Sequence, residues 1–235
     1  MEVALNPRYF SNRNRSRGFT LVELLVVVSI MIMLSALAAP AFNSLKKGNT
    51  LNTATAVIAT TLEQARAYAM ANDTYVVVCF EETDSSIPTS QAQNSGTGRV
   101  AIQAFSSLDA TLNLTGQNLM RLGRMRIFDN IDLPDASSLS SGTLPGRPKA
   151  DYVVGNSGFP AAADEVISGG FTFSKIIAFD PQGGLHIPTN PSQAGLQYLE
   201  IDLQQSNGST AASNAKDVSA IQVDGLTGAV NIYRS

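Results

Sequence analysis

From Phe19 to Ala39 the chain runs for 21 residues interrupted only by Thr20, Glu23, Ser29 and Ser35. A helix rises ~1.5 Å per residue, so this run spans about 30 Å, the thickness of a bilayer's hydrocarbon core. Arg8, Arg13, Arg15 and Arg17 stand before it against a single acidic residue, Glu2. Positive flanks stay in the cytoplasm, which predicts a single-pass anchor with the bulk of the chain on the other side. No other feature restricts the fold as strongly.

The run also explains the composition. Apolar residues make up 44% and charged residues 15%, low in charge for a freely soluble protein, so part of the apolar content is concentrated in one segment. The net charge of −3 includes the arginines of residues 1–18, and the remainder is more acidic than the whole. That balance argues against general nucleic-acid binding, which needs an excess of Lys and Arg. The one cysteine, Cys79, lies in the strand-like stretch Tyr75–Phe80 and reads as a small core residue. The one histidine, His186, has no second histidine to work with and reads as a polar strand residue. Thiolate-only metal sites and intrachain disulfides are excluded by the cysteine count.

A secretory signal peptide would be cut after the apolar run, and Ala36, Ala38 and Ala39 could serve. The junction before the run points elsewhere. Gly18 separates charged from apolar residues, Phe19 follows, and Glu23 sits five residues after the glycine. An acidic side chain inside a membrane helix costs about 2.5–3.5 kcal/mol on insertion scales, so Glu23 should have a partner.

Gly18-Phe19-Thr20-Leu21-Val22-Glu23-Leu24-Leu25-Val26 resembles the processing motif of type IV prepilins and type II secretion pseudopilins. The resemblance implies that a prepilin peptidase cuts after Gly18 and that Phe19 is then N-methylated. It makes Glu23 the assembly ion-pair partner of an α-amino group and Pro40 a helix kink. Physical chemistry agrees: an α-amino group, with a reference pKa of ~7.7–8, is costly in an apolar bundle unless an opposite charge meets it. Hydrophobic burial drives assembly without choosing a register, and one ion pair among leucines can choose it.

The expected organisation is a leader at 1–18, a transmembrane and polymerisation helix at 19–48, and a periplasmic head at 49–235. Gly48 to Thr50 is expected to loosen the helix beyond Lys46 and Lys47. Leu51, Ala54, Ile58, Leu62, Ala65 and Ala69 then recur at spacings of three and four, the stripe of an amphipathic helix, while Thr53, Thr60, Glu63 and Arg66 lie off it. Asn72-Asp73 is a plausible stop, with Asn taking the left-handed conformation. Strands are predicted over 75–80, 100–105, 120–128, 171–179, 185–187, 198–203, 220–223 and 230–233. Asp180-Pro181-Gln182-Gly183 has turn chemistry. Segments 81–99, 129–150 and 204–217 read as exposed loops. The fold class is α+β, a long N-terminal helix packed on an antiparallel β-rich head of two sheets. Residues 62–80, 176–184 and 226–233 are similar to passages of the H-type minor pseudopilins, the GspH/FimT family.

Other site readings are bland. Asp129, Asp132 and Asp135 form an acidic loop of a kind in which major pseudopilins bind calcium, but Ca²⁺ takes 6–8 oxygens and the loop reads as solvated. Glu81-Glu82 reads as wet surface, and Ser95-Gly96-Thr97-Gly98 lacks the lysine of a phosphate loop. Arg124 and Arg126 should share one face of a strand, with Met125 and Ile127 on the other. With Arg121 they read as a solvated face. The implied function is structural: a minor pseudopilin of a type II secretion system, or alternatively a minor pilin of a type IV pilus with an adhesion or DNA-uptake role. No enzyme activity, cofactor, metal or nucleic acid is expected. The implied partners are the prepilin peptidase, other pilins or pseudopilins, an inner-membrane assembly platform and membrane lipid. The expected location is the bacterial inner membrane with the head in the periplasm.

Overall fold

The computed structural model describes residues 19–135, 144, 146–161, 165–188, 195–211 and 217–234, and their side chains except at 37–48. The expected leader with Gly18 and the side chain of Pro40 lie outside the described residues. The chain is α+β and divides into two compact units, Met1–Ser44 and Leu45–Ser235.

One helix, α1, covers Leu21–Asn72. Its backbone is helical through Gly48 and Thr50, where the sequence predicted loosening. In the second unit the predicted stripe is the buried one: Leu51, Ala54, Ile58, Leu62, Ala65 and Ala69 are all at or below 5% exposure. Threonines weaken helices by competing for backbone groups, but here Thr55, Thr60 and Thr61 bond the carbonyls of Leu51, Ala56 and Val57 within the helix. The helix ends at Asn72, whose amide bonds the Tyr68 carbonyl at 3.0 Å. The left-handed residue is Asp73, with φ 49°, rather than Asn72.

Among the described residues thirteen strands follow in chain order: β1 Val76–Asp84, β2 Gly98–Ser107, β3 Leu119–Asp129, β4 Ile131–Asp132, β5 Tyr152–Val153, β6 Val166–Ser168, β7 Phe171–Phe173, β8 Lys175–Phe179, β9 Leu185–His186, β10 Tyr198–Asn207, β11 Thr210–Ala211, β12 Val218–Asp224 and β13 Val230–Arg234. The first sheet has the order β3-β2-β1-β8-β9 and is antiparallel throughout. The second has the order β11-β10-β12-β13, with β4 and β5 also on β10. β5 runs parallel to β10, and β6 and β7 form a separate hairpin, so the head departs from two purely antiparallel sheets. The single strand predicted over 171–179 is broken at Ser174 into β7 and β8.

Period-two alternation explains the core. Val76, Val78 and Phe80 of β1 face a cluster with the α1 stripe, Ile102, Ile177, Leu199, Ile201 and Ile221. Val77 and Cys79 face a second cluster with Ala101, Phe105, Phe171 and Phe173. Both faces of β1 are covered, which is why its first five residues are continuously apolar. Burying each such side chain is worth ~1.5–3 kcal/mol.

Candidate functional site

The described side chains of the first unit, at 19–36, are presented rather than buried. Phe19 is 73% exposed, Leu21 81% and Met33 70%, and the large apolar residues between them are exposed all round the helix. An unpartnered apolar surface this continuous marks a membrane or protein contact. Among the described residues no helix is long and apolar enough to cross a membrane. The end of the apolar run, 37–39, falls where side chains are not described.

Glu23 lies in this exposed run. Its backbone N–H donates to the Thr20 hydroxyl at 3.2 Å, and its carboxylate accepts from the Thr20 N–H at 3.5 Å. Thr20 is the helix N-cap and Glu23 the third helical residue, the reciprocal pattern of a capping box. The helix dipole favours a negative charge at that end. Sequence reasoning assigned Glu23 a partner and missed that Thr20 positions it. The T-x-x-E spacing before an apolar run was the available signal. Phe19 is the residue next to Thr20, so the carboxylate is held within one peptide of the position where cleavage would create an amine.

The other sequence candidates scatter. Cys79 is fully buried, and burial pushes its thiol pKa up. His186 bonds Asp180 at 2.7 Å and meets the Tyr75 ring edge-on. The pair opens on a cleft of about 510 Å³ whose described lining includes Tyr198 and Asp224 but no Ser, Thr or Cys nucleophile. The Asp180–Gly183 turn closes as its sequence predicts, with the Gly183 N–H on the Asp180 carbonyl at 2.9 Å.

Two acidic readings are corrected. Glu81 is 6% exposed and accepts from Ser95 Oγ at 3.0 Å, Ser174 N at 3.3 Å and Ser174 Oγ at 3.1 Å. Glu82 points to the opposite face of β1, where burial, then a hydrogen bond and repulsion from Asp132, push its pKa up to about 9. Neither is wet surface, because β1 is covered on both sides. The 129–135 segment is not a single solvated loop either. Asp129 pairs with Arg99 at 2.6 Å, Asp132 is 5% exposed and bonds Gln204, and Asp135 lies against the Asn156 amide. Among the described residues no three His, Cys, Asp or Glu side chains cluster as metal ligands.

A buried ion network also escaped the sequence. Arg147 pairs with Glu200 and, at 3.3 Å, with Asp202, and the Gln222 amide joins Glu200 at 2.7 Å. Burial, then the neighbouring Glu200, raise the Asp202 pKa. Alternation along β10 places Glu200 and Asp202 on one face, but the matching arginine comes from a segment predicted as loop.

The family model for the prokaryotic N-terminal methylation motif matches residues 13–39. No curated protein and no solved structure matches the chain. The chain therefore carries a type IV prepilin-like N-terminal motif. That motif implies processing by a prepilin peptidase, membrane anchoring and assembly with other pilins.

Proposed function

We propose that this chain is a non-catalytic filament subunit, a minor pseudopilin that joins or initiates a periplasmic pseudopilus of a type II secretion system. The observation that carries this is the methylation motif over 13–39, joined to a helix start at which Thr20 holds the Glu23 carboxylate beside Phe19. Cleavage between Gly18 and Phe19 would place a cationic amine where the helix dipole is least favourable to it. Glu23 of the same or a neighbouring subunit offsets that charge, and the apolar surface of the first unit supplies the burial. Anchoring in the inner membrane with the head in the periplasm follows from the arginines of residues 1–18.

The H-type minor pseudopilins are the nearest fit because the chain joins this helix to a β-rich head ending in two hairpin-paired strands. A minor pilin of a type IV pilus shares every one of these features except the machine it serves. Mass spectrometry of membrane-extracted protein should show methylated Phe19 as the first residue. A chain still starting at Met1, or cut after Ala39, in cells with an active peptidase would overturn the proposal. Co-purification of assembly-platform components then separates secretion system from pilus.

A further inference from the structure

Among the described residues β3 is an edge of the first sheet and pairs only with β2. Along it run Arg121, Arg124 and Arg126, in a body whose overall charge is negative. Two arginines of the head are paired, Arg99 with Asp129 and Arg147 with Glu200 and Asp202. The three on β3 have no acidic partner among the described residues.

Their placement is built rather than incidental. Ile102 faces Arg126 and Ala104 faces Leu122, so Gly123, Arg124 and Met125 stand opposite Gln103 alone. Gly123, at φ 73°, takes the left-handed backbone that this bulge requires. Alternation along β3 sets Arg124 and Arg126 on one side with Leu122, as the sequence predicts, while Met125 and Ile127 pack on the second core cluster. Both arginines wall a groove of about 270 Å³ between β3 and α1, with Val57 and Thr60 opposite and Ile102 and Leu122 in the floor. That is smaller than the ~300–1,000 Å³ of typical small-molecule sites. An edge strand displays a row of backbone donors and acceptors to any incoming chain.

We propose that the β3 edge docks an extended, carboxylate-bearing segment of a partner protein, which adds as a further strand with acidic side chains on Arg124 and Arg126. A second copy of this chain does not fit, because β3 against β3 sets arginines beside arginines, and like charges across strands destabilise. A nucleic acid would use the charges but leave the backbone edge and the apolar floor unpaired. The docking needs no filament and stands apart from the subunit role.

The test uses full-length protein in neutral detergent and fluorescence anisotropy. The probes are a labelled peptide of about ten residues alternating Glu and Val, its Gln-Val counterpart, the Glu-Val peptide N-methylated along its backbone, and a DNA duplex. The Glu-Val peptide should bind, and the other two peptides should bind much more weakly. Arg124→Gln with Arg126→Gln should weaken Glu-Val binding roughly tenfold or more, the scale of losing charge-assisted hydrogen bonds. Arg234→Gln should leave it unchanged, and circular dichroism should show all variants folded. No Glu-Val binding, equal binding by the double variant, or equal binding of the N-methylated peptide would each overturn the proposal. Tighter binding of the duplex than of the peptide would also overturn it and assign the arginines to a nucleic-acid backbone.

Discussion

The Thr20 hydroxyl accepts the Glu23 N–H at 3.2 Å while the Glu23 carboxylate reaches back to the Thr20 N–H at 3.5 Å. The second contact is long, and it spends little of the carboxylate's capacity to accept. Glu23 can therefore start its own helix and still bind a cation beside it. A capping residue is typically worth ~0.5–2 kcal/mol, and an unpaired buried amine costs more than that.

The two roles separate by substitution. Glu23→Gln keeps an acceptor for the cap and removes the charge, whereas Thr20→Ala removes the cap and keeps the charge. Glu23→Gln should be anchored and processed but fail to enter filaments, and Thr20→Ala should enter them with a frayed first turn. Filament incorporation, scored by crosslinking to other subunits, checks this. A Gln variant that assembles like the parent would sink the ion-pair account.

Glu81 holds the break between β7 and β8 by accepting both the N–H and the hydroxyl of Ser174. Glu81→Ala leaves that N–H without its acceptor in a covered site, and should cost about 1–3 kcal/mol. Urea unfolding of the full chain measures it, with Glu81→Gln expected to lose less. A loss below a few tenths of a kcal/mol would mean that Ser174 finds water instead.

Glu82 predicts a pH dependence. Its pKa is raised from 4.5 to about 9 in the fold, so the native state holds a proton that the unfolded chain gives up. Native protein binds more protons between those values, and stability falls as pH rises from about 4.5 to about 9. Glu82→Gln mimics the protonated acid. It should flatten this fall and raise the melting temperature at pH 8. Parallel pH curves for parent and variant would refute it.

Arg147 is the only cation paired with Glu200 and Asp202 among the described residues. Arg147→Met strands two buried carboxyls and should destabilise the head by about 3–5 kcal/mol. The loss should be greater at pH 8 than at pH 5, because protonation relieves the stranded charge. Adding Glu200→Gln and Asp202→Asn should recover much of the stability, which chemical denaturation reads directly. No recovery would show that Arg147 acts through packing rather than charge.

Much of the chain was legible in advance because the signals are local. The stripe from Leu51 to Ala69 is a repeat at helical spacing, and a one-sided stripe has only one way to be buried. Each of the eight predicted strand stretches overlaps observed strand, with 171–179 split into β7 and β8, because β-branched and aromatic runs between Gly, Pro and Asn punctuation leave few alternatives. The strands missed, β4, β5, β6 and β11, are two or three residues long; β4, β5 and β11 pair with the longer β10, and β6 with the equally short β7.

By itself the sequence determined the motif at Gly18, Phe19 and Glu23, the helix and the identity of most strands, since each is written in residues close together along the chain. The tertiary structure decided what the charged residues do. Glu81 and Glu82 are adjacent in sequence, yet one answers to Ser174, 93 residues away, and the other to Asp132 across the opposite face. Desolvation and pairing depend on what packs against a side chain, and no local pattern encodes a partner that arrives from another sheet. The same reason hid the groove beside Arg124 and Arg126, which exists only where a bulged edge strand meets the helix that covers its sheet.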